Sequence, residues 1–467
     1  MQLLHAPART QAVFDDPNLL AHAGLAPLLV LAERAGLPGS LAGVCPGGPG
    51  GANATAKAMC LIAGMAAGAD SINDMDLLRD GAMNTVFGGV RAPSTLGSYL
   101  RSYSWGNIRQ LDAAHRQLTR ALAQDPRLLP GRETLAFIDI DSTQHRVFGY
   151  QKEGAAYGHA KVASKPVLVK GLNPLISIIS TPLSAPVLGP VRLRGGTAGS
   201  ARGAASLAAE AIGTAREAGC TGKIVVRLDS AYYTSAVIRA IRRKKACFSV
   251  TVPMNSSIKE AVGRIPGDAW TAIEYPRAIW DDQLSCWVSD AEVAEIQYTA
   301  FASKKKSEQV TARLIVRRIR ARNEQAAQGQ GELFPAWRYH AVLTDSPFEL
   351  VQSEGQHRDH AIVEQVIADL GAGPLAHLPS GVFNANAAWL VLAAMTHNLL
   401  RAAGTRAGSR HAKARTATIR RDLITMPART ARHGRGHLVL HLPAGHHREQ
   451  AWLNLWADAC GPPARAA

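Results

Sequence analysis

Two apolar runs rich in β-forming residues, LAFIDI and KIVVRL, are each followed at once by an aspartate, Asp141 and Asp229. A run of this kind reads as a buried strand, which puts the carboxylate that follows it at the strand's mouth. Between Thr134 and Pro253 the order is LAFIDI, PVLVK, PLISIIS, an Ala-rich helix from Arg202 to Gly219, KIVVRL, a helix from Ser235 to Lys245, and CFSVTV. That order predicts an α/β fold in which a sheet is covered by helices.

Side chains alternate along a strand, so Asp139 and Asp141 share one face of the first run while Ala136, Ile138 and Ile140 share the other. Either aspartate can then be offered to a site. Asp229, followed by Ser230, is also suited to a turn or to capping the helix that begins near Ser235.

A third acidic residue stands in a different setting. In HRDHAIVEQVIADL, Val363, Val366, Ile367 and Leu370 recur at the spacing of a helix packed on a core, and Glu364 lies at the edge of that stripe. Helical spacing also puts His357 and His360 on the same flank as Glu364. Taken alone, such a glutamate is most often a solvated residue. Together, two strand-end aspartates and a helical glutamate offer the oxygen donors that Mg²⁺ or Mn²⁺ prefers, enough for a pair of ions over a phosphodiester.

The wording around the three acids narrows the field. LAFIDIDST, VVRLDSAYY and the His-Arg-x-His-Ala-x-x-Glu helix, followed by GPLAHLPSGVFNANAAWLVLAAMTHNLLR and TATIRRDLITMPART, occur in an order that resembles bacterial insertion-sequence transposases of the DDE class, most of all the thirteen-eighty group. The resemblance spans most of the chain. It implies an RNase H-like mixed sheet flanked by helices, interrupted by a β-rich insertion between the second aspartate and the glutamate. It implies Asp141, Asp229 and Glu364 as catalytic metal ligands, with Asp139 in reserve for the first. Mg²⁺ is the implied ion, with Mn²⁺ able to substitute.

The implied activity is binding to the terminal inverted repeats of a mobile element, metal-dependent strand cleavage, and joining of the freed 3′ hydroxyl to target DNA. Double-stranded DNA is the implied partner and a homodimer on DNA the implied assembly, in the bacterial cytoplasm at the nucleoid. A related branch carries Tyr, Arg and Lys around its glutamate where this chain has His357, His360 and Gly371. A hairpin cleavage pathway is therefore not implied. A host RNase H-like nuclease would keep the acidic trio without needing the insertion or a basic tail, and a non-cutting derivative would have no need of all three acids.

Bulk properties agree with a polyanionic partner. The net charge is +16 over 467 residues, and each Lys or Arg that meets a phosphate releases a counterion. Six cysteines, at 45, 60, 220, 247, 286 and 460, form no CxxC pair and read as core thiols of a reducing compartment. No signal peptide opens the sequence, and the apolar run Ala387 to Met395 is too short to span a bilayer.

The sequence divides into a helical region at 1–128 suited to binding DNA ends, the first part of the core at 129–255, the insertion at 256–350, the second part with the Glu helix at 351–404, and a basic segment at 405–467. In the first region, glycine-rich VCPGGPGGANA reads as a flexible break. In the insertion, runs at 312–318 and 338–344 read as strands, AAQGQGE as a loop and SKKKSE as a solvated turn. A helix is expected over Asn386 to Leu400. Between Arg401 and Arg435 basic residues recur against a single acid, Asp422, a density suited to tracking a DNA backbone. Arg420, Arg421, Arg429 and Arg432 are the candidate contacts. The C-terminal histidines, at 433, 437, 441, 446 and 447, have no cysteine partner at finger spacing and do not read as a zinc site.

Overall fold

LAFIDIDS forms the strand β1 (Leu135–Ser142) in the computed structural model, which describes residues 4, 6–44, 46, 51–149, 151–162, 165–281, 286–320 and 337–461. It sits inside an 11-stranded sheet with β2 (His145–Arg146), β3 (Ala156–Val162), β4 (Lys165–Ser180), β5 (Val187–Arg194), β6 (Lys223–Leu228), β7 (Cys247–Val252), β8 (Thr271–Asp281), β9 (Cys286–Ala300), β10 (Val310–Arg320) and β11 (Trp337–Thr344). The central order is β5-β4-β1-β6-β7. The first three strands are antiparallel, and β6 and β7 continue parallel to β1. This is a mixed sheet of RNase H-like type.

Parallel neighbours need crossover connections. The sequence supplies them as the helices Ala204–Glu217, between β5 and β6, and Ser235–Arg243, between β6 and β7. Two details differ from the expected order. PVLVK and PLISIIS are one strand, because Pro174 falls just beyond Leu175, the last partner of β1, and a bulge follows between Ile176 and Ile178. The strand VLGPVRLR was hidden by its Gly189 and Pro190.

From β7 the sheet runs on without a break through β11, β10, β9 and β8, all antiparallel. The runs at 312–318 and 338–344 lie in β10 and β11. The strands β8 and β9 escaped notice because charged residues interrupt their apolar pattern. AAQGQGE lies outside the described residues, as does part of VCPGGPGGANA. Lys304, Lys305 and Lys306 are exposed in the turn between β9 and β10.

The major helices of the N-terminal part are α1 (Leu25–Arg34), α2 (Ala54–Ala67) and α3 (Trp105–Leu122), the last held at its start by a Ser104/Asn107 capping box. They surround α4 (Phe383–Ala407), a 25-residue helix buried on nearly all sides, longer than the expected 386–400. Asn398 of α4 keys it to the sheet: its side chain accepts from Leu188 N at 2.7 Å and donates to Leu188 O at 2.8 Å and Thr119 Oγ1 at 2.9 Å. A buried amide left unpaired there would cost about 1 to 3 kcal/mol. Among the described residues no helix is long and apolar enough to cross a membrane.

The basic C-terminal segment is folded over its described residues. Ala428–Arg432 pairs with Leu19–Leu20 and with Leu438–His441 in a small antiparallel sheet. Two of its arginines are not available to a backbone. Arg401 is buried and donates to the carbonyls of Ala412 and Ala414, and Arg406 pairs with Asp125 at 3.1 Å and Asp458 at 3.0 Å. Their charge is spent inside the fold, so they do not belong to the basic density that suits tracking a DNA backbone.

Candidate active site

The two faces of β1 have opposite chemistry. Ala136, Ile138 and Ile140 enter the main core, while Phe137, Asp139 and Asp141 point the other way. On that second face Arg227 of β6 lies opposite Asp139 in the parallel register and is only 2% exposed. Its Nε and Nη2 donate to the two oxygens of Asp139, each at 2.7 Å, and its guanidinium stacks over the Phe137 ring at 4.1 Å. His360 Nδ1 shares Asp139 Oδ1 at 2.9 Å.

Burial pushes the Asp139 carboxyl up, but Arg227 and His360 outweigh it and the net shift is down. Burial likewise pulls His360 down, and Asp139 more than reverses it. Asp139 is thus a fully committed, buried counter-ion. Of the two aspartates on this face of the strand, Asp139 is the one whose oxygens are taken by Arg227 and His360.

Asp141, two residues on, has no such neutralisation. Its Oδ1 accepts from Ser142 N at 2.6 Å. Burial pushes its carboxyl up to about 6, the Ser142 N–H opposes this, and the nearby charges of Asp229 and Glu364 add to the rise while His360 reduces it. Asp229 arrives by register: Ile140 lies opposite Leu228, so the next position up sets Asp229 beside Asp141. It is half-buried and caps the short 3-10 turn Ser230–Tyr232 by accepting from Ala231 N at 2.9 Å. The helix at Ser235 is capped instead by Thr234, so Asp229 is not the cap of that helix.

Glu364 lies in the first turn of the helix Ile362–Gly371. The segment is α-helical over Leu350–Arg358, passes through a 3-10 turn at Asp359–Ala361, and resumes as Ile362–Gly371, here called α5, which packs on β1. Val363, Val366 and Leu370 are buried as the spacing predicts, and Glu364 is exposed. The rings of the two histidines stack at 6.4 Å between centroids but reach different strands. His357 turns onto β7, where its ring nitrogens meet Ser249 Oγ at 2.8 Å and Thr251 Oγ1 at 2.9 Å, and burial pulls it down to about 3, so it stays neutral. His360 turns onto Asp139.

Asp141, Asp229 and Glu364 therefore share one electrostatic field at the open end of β1 and β6. They are all hard oxygen donors, and Asp141 is a carboxylate whose charge is unfavourable until a cation joins it, which fits a divalent ion in chemistry. Among the described residues, however, no group of three or more His, Cys, Asp or Glu is gathered closely enough to hold a metal ion as it stands. Of the three, Glu364 is the most exposed, on its helix.

The strand pattern did not anticipate Arg227, the residue that decides the role of Asp139. The available signal was a lone arginine inside an apolar strand, since a buried charge needs a partner. Tyr232 and Arg194 were missed as well. Both are buried and within electrostatic range of Asp141. Of the candidate DNA contacts, Arg421 and Arg429 are exposed and pair with Asp422 at 2.7 Å and Asp16 at 3.1 Å, Arg432 is exposed, and Arg420 is half-buried against Gly68.

Comparison with curated proteins gives no match. Residues 10–458 match the family model described as transposase DDE domain group 1. That match covers nearly all of the chain, and with the mixed sheet and the acids at its open end it identifies the protein as a member of the DDE transposase family.

Proposed function

We propose that the protein binds the terminal inverted repeats of an insertion sequence, cuts the DNA at them, and joins the freed 3′ hydroxyl to a target, with Asp141, Asp229 and Glu364 as the metal ligands. The observation that carries this reading is the unneutralised Asp141, raised by burial and by the charges of the other two acids while its neighbour Asp139 is fully paired. Divalent ions, Mg²⁺ or in its place Mn²⁺, supply the positive charge that activates the attacking oxygen and stabilises the leaving one. The protein's part is to hold three carboxylates on separate elements at one sheet end. Glu364 closes the set when ions and DNA are present.

Arg420, Arg421, Arg429 and Arg432 serve as backbone contacts that add affinity regardless of sequence. Two DNA ends must be held together for strand transfer, so a homodimer on DNA is the working assembly. The test is a labelled transposon end incubated with the full chain and Mg²⁺, alongside a gel shift. Asp229→Asn and Glu364→Gln each remove a ligand charge at nearly constant shape, so nicking should fall at least about 10³-fold while end binding stays near wild type. Near wild-type nicking in either variant contradicts the assignment.

A further inference from the structure

Beneath the three outer carboxylates lies a second set of three residues, each a few positions earlier along the same stretch of chain. Asp139 precedes Asp141 by two residues on β1, Arg227 precedes Asp229 by two at the end of β6, and His360 precedes Glu364 by four, in the 3-10 turn that leads into the Glu helix. Two residues advance a strand by about 6.6 Å and keep its face. Four residues advance a helix by about one turn and return to its side. The inner three are bonded to one another through a single carboxylate: Asp139 takes two hydrogen bonds from Arg227 at 2.7 Å and one from His360 at 2.9 Å. Arg227 Nη1 also donates to Gln356 O at 2.6 Å, which ties the end of the preceding helix, Leu350–Arg358, to the same point.

A buried ion pair is weak evidence for stability, since well-packed apolar residues of similar volume often do as well or better. What such a network supplies is one arrangement out of many, because any slip leaves a buried charge unpaired. Here the arrangement it fixes is the relative placement of the three elements that carry the outer acids. Polar partners behind ligand residues commonly alter metal affinity or activity 10- to 100-fold.

We infer that Asp139, Arg227 and His360 form an inner registering triad, and that His360 is the positioning residue that brings Glu364 to Asp141 and Asp229. The inference rests on those three acids being the metal ligands. His360 touches no reacting atom in this account. It joins the exposed Glu364, through Asp139, to the two strands whose register is already set by the sheet. The other groups facing it are the neutral His357, stacked at 6.4 Å between ring centroids, and the Asp141 carboxylate in front.

The test uses the full chain with His360→Ala, His360→Asn and, as a control, Asp141→Asn. Four quantities are read: thermal melting, affinity for a labelled end in a gel shift, Mn²⁺ binding from loss of the free-ion EPR signal, and single-turnover nicking against Mn²⁺ concentration. His360→Ala should keep end affinity within about twofold, raise the Mn²⁺ needed for half-saturation by about tenfold or more, and slow nicking at saturating DNA. His360→Asn, whose amide nitrogen stands where Nδ1 stood, should restore both to within a few-fold. A purely structural histidine would lower melting without moving the Mn²⁺ midpoint of the folded fraction.

Wild-type Mn²⁺ dependence in His360→Ala together with an inactive Asp141→Asn overturns the inference and leaves the ligand assignment standing. Wild-type nicking by Asp141→Asn overturns the assignment itself. Should His360→Ala fail to fold, His360→Gln replaces it, because its amide reaches the Nε2 position instead of Nδ1. The Mn²⁺ midpoint must then rise in His360→Gln and not in His360→Asn, and equal midpoints overturn the inference.

Discussion

At Asp139 the outer face of β1 meets Arg227 and His360 in direct hydrogen bonds, whereas two residues further on, at Asp141, it meets a backbone N–H and the like charges of Asp229 and Glu364, offset in part by the charge of His360. The strand, the face and the residue type are the same. One carboxyl is held below its ordinary range by its partners, and the other is pushed up to about 6. The contrast shows how one face of a strand can complete one charge with protein donors and withhold them from the next, the division that the proposed ligand role of Asp141 requires.

The same division runs through the arginines. Arg401 and Arg406 are completed by carbonyls and carboxylates inside the fold, while Arg421 and Arg432 remain at the surface. Charge count alone puts them in one class. Burial separates them.

The sharpest way to break the comparison is to make both aspartates neutral. Asp139→Asn leaves Arg227 buried without its counter-ion and should destabilise the protein by about 3 to 5 kcal/mol, measured by urea unfolding. Asp141→Asn should be neutral or stabilising in the same assay. Equal costs at the two positions would erase the distinction.

A somewhat smaller effect is expected from pH. A carboxyl raised to about 6 in the folded state binds its proton more tightly there than in the unfolded chain, so the folded state loses stability as pH rises from about 4 through about 6. Wild type should lose about 2 to 3 kcal/mol relative to Asp141→Asn over that window, and divalent metal at neutral pH should return part of it. Parallel pH profiles for the two proteins would mean that Asp141 is not perturbed.

The smallest effect concerns the arginines. Each of Arg421→Ala and Arg432→Ala should flatten the slope of log affinity against log salt by about 0.9, equally for cognate ends and random duplex. Arg406→Ala should lower melting and leave that slope alone. A loss confined to cognate ends would mean that the surface arginines read bases.

The part of this contrast that was legible in sequence is the part carried by local pattern. LAFIDI and KIVVRL announced their strands, the alternation in β1 set Asp139 and Asp141 apart from the core face, and the stripe through Val363, Val366 and Leu370 announced the Glu helix. Which aspartate was spoken for could not be read, because its partners come from elements 88 and 221 positions away. The 3-10 turn at Asp359–Ala361, which carries His360 to Asp139 just after the helix that sets His357 on β7, has no local marker in the sequence. VLGPVRLR failed to announce a strand because Gly and Pro interrupt it, although its pairing with β4 tolerates both.

The central claim, that Asp141 and not Asp139 is the ligand of this face, is tested most directly by single-turnover cleavage of a labelled transposon end by folded Asp141→Asn across a Mg²⁺ series, with end binding measured in parallel. The account predicts bound DNA and a cleavage rate at least about 10³-fold below wild type at every Mg²⁺ concentration. Cleavage by Asp141→Asn at the wild-type rate, with folded Asp139→Asn inactive, would contradict it.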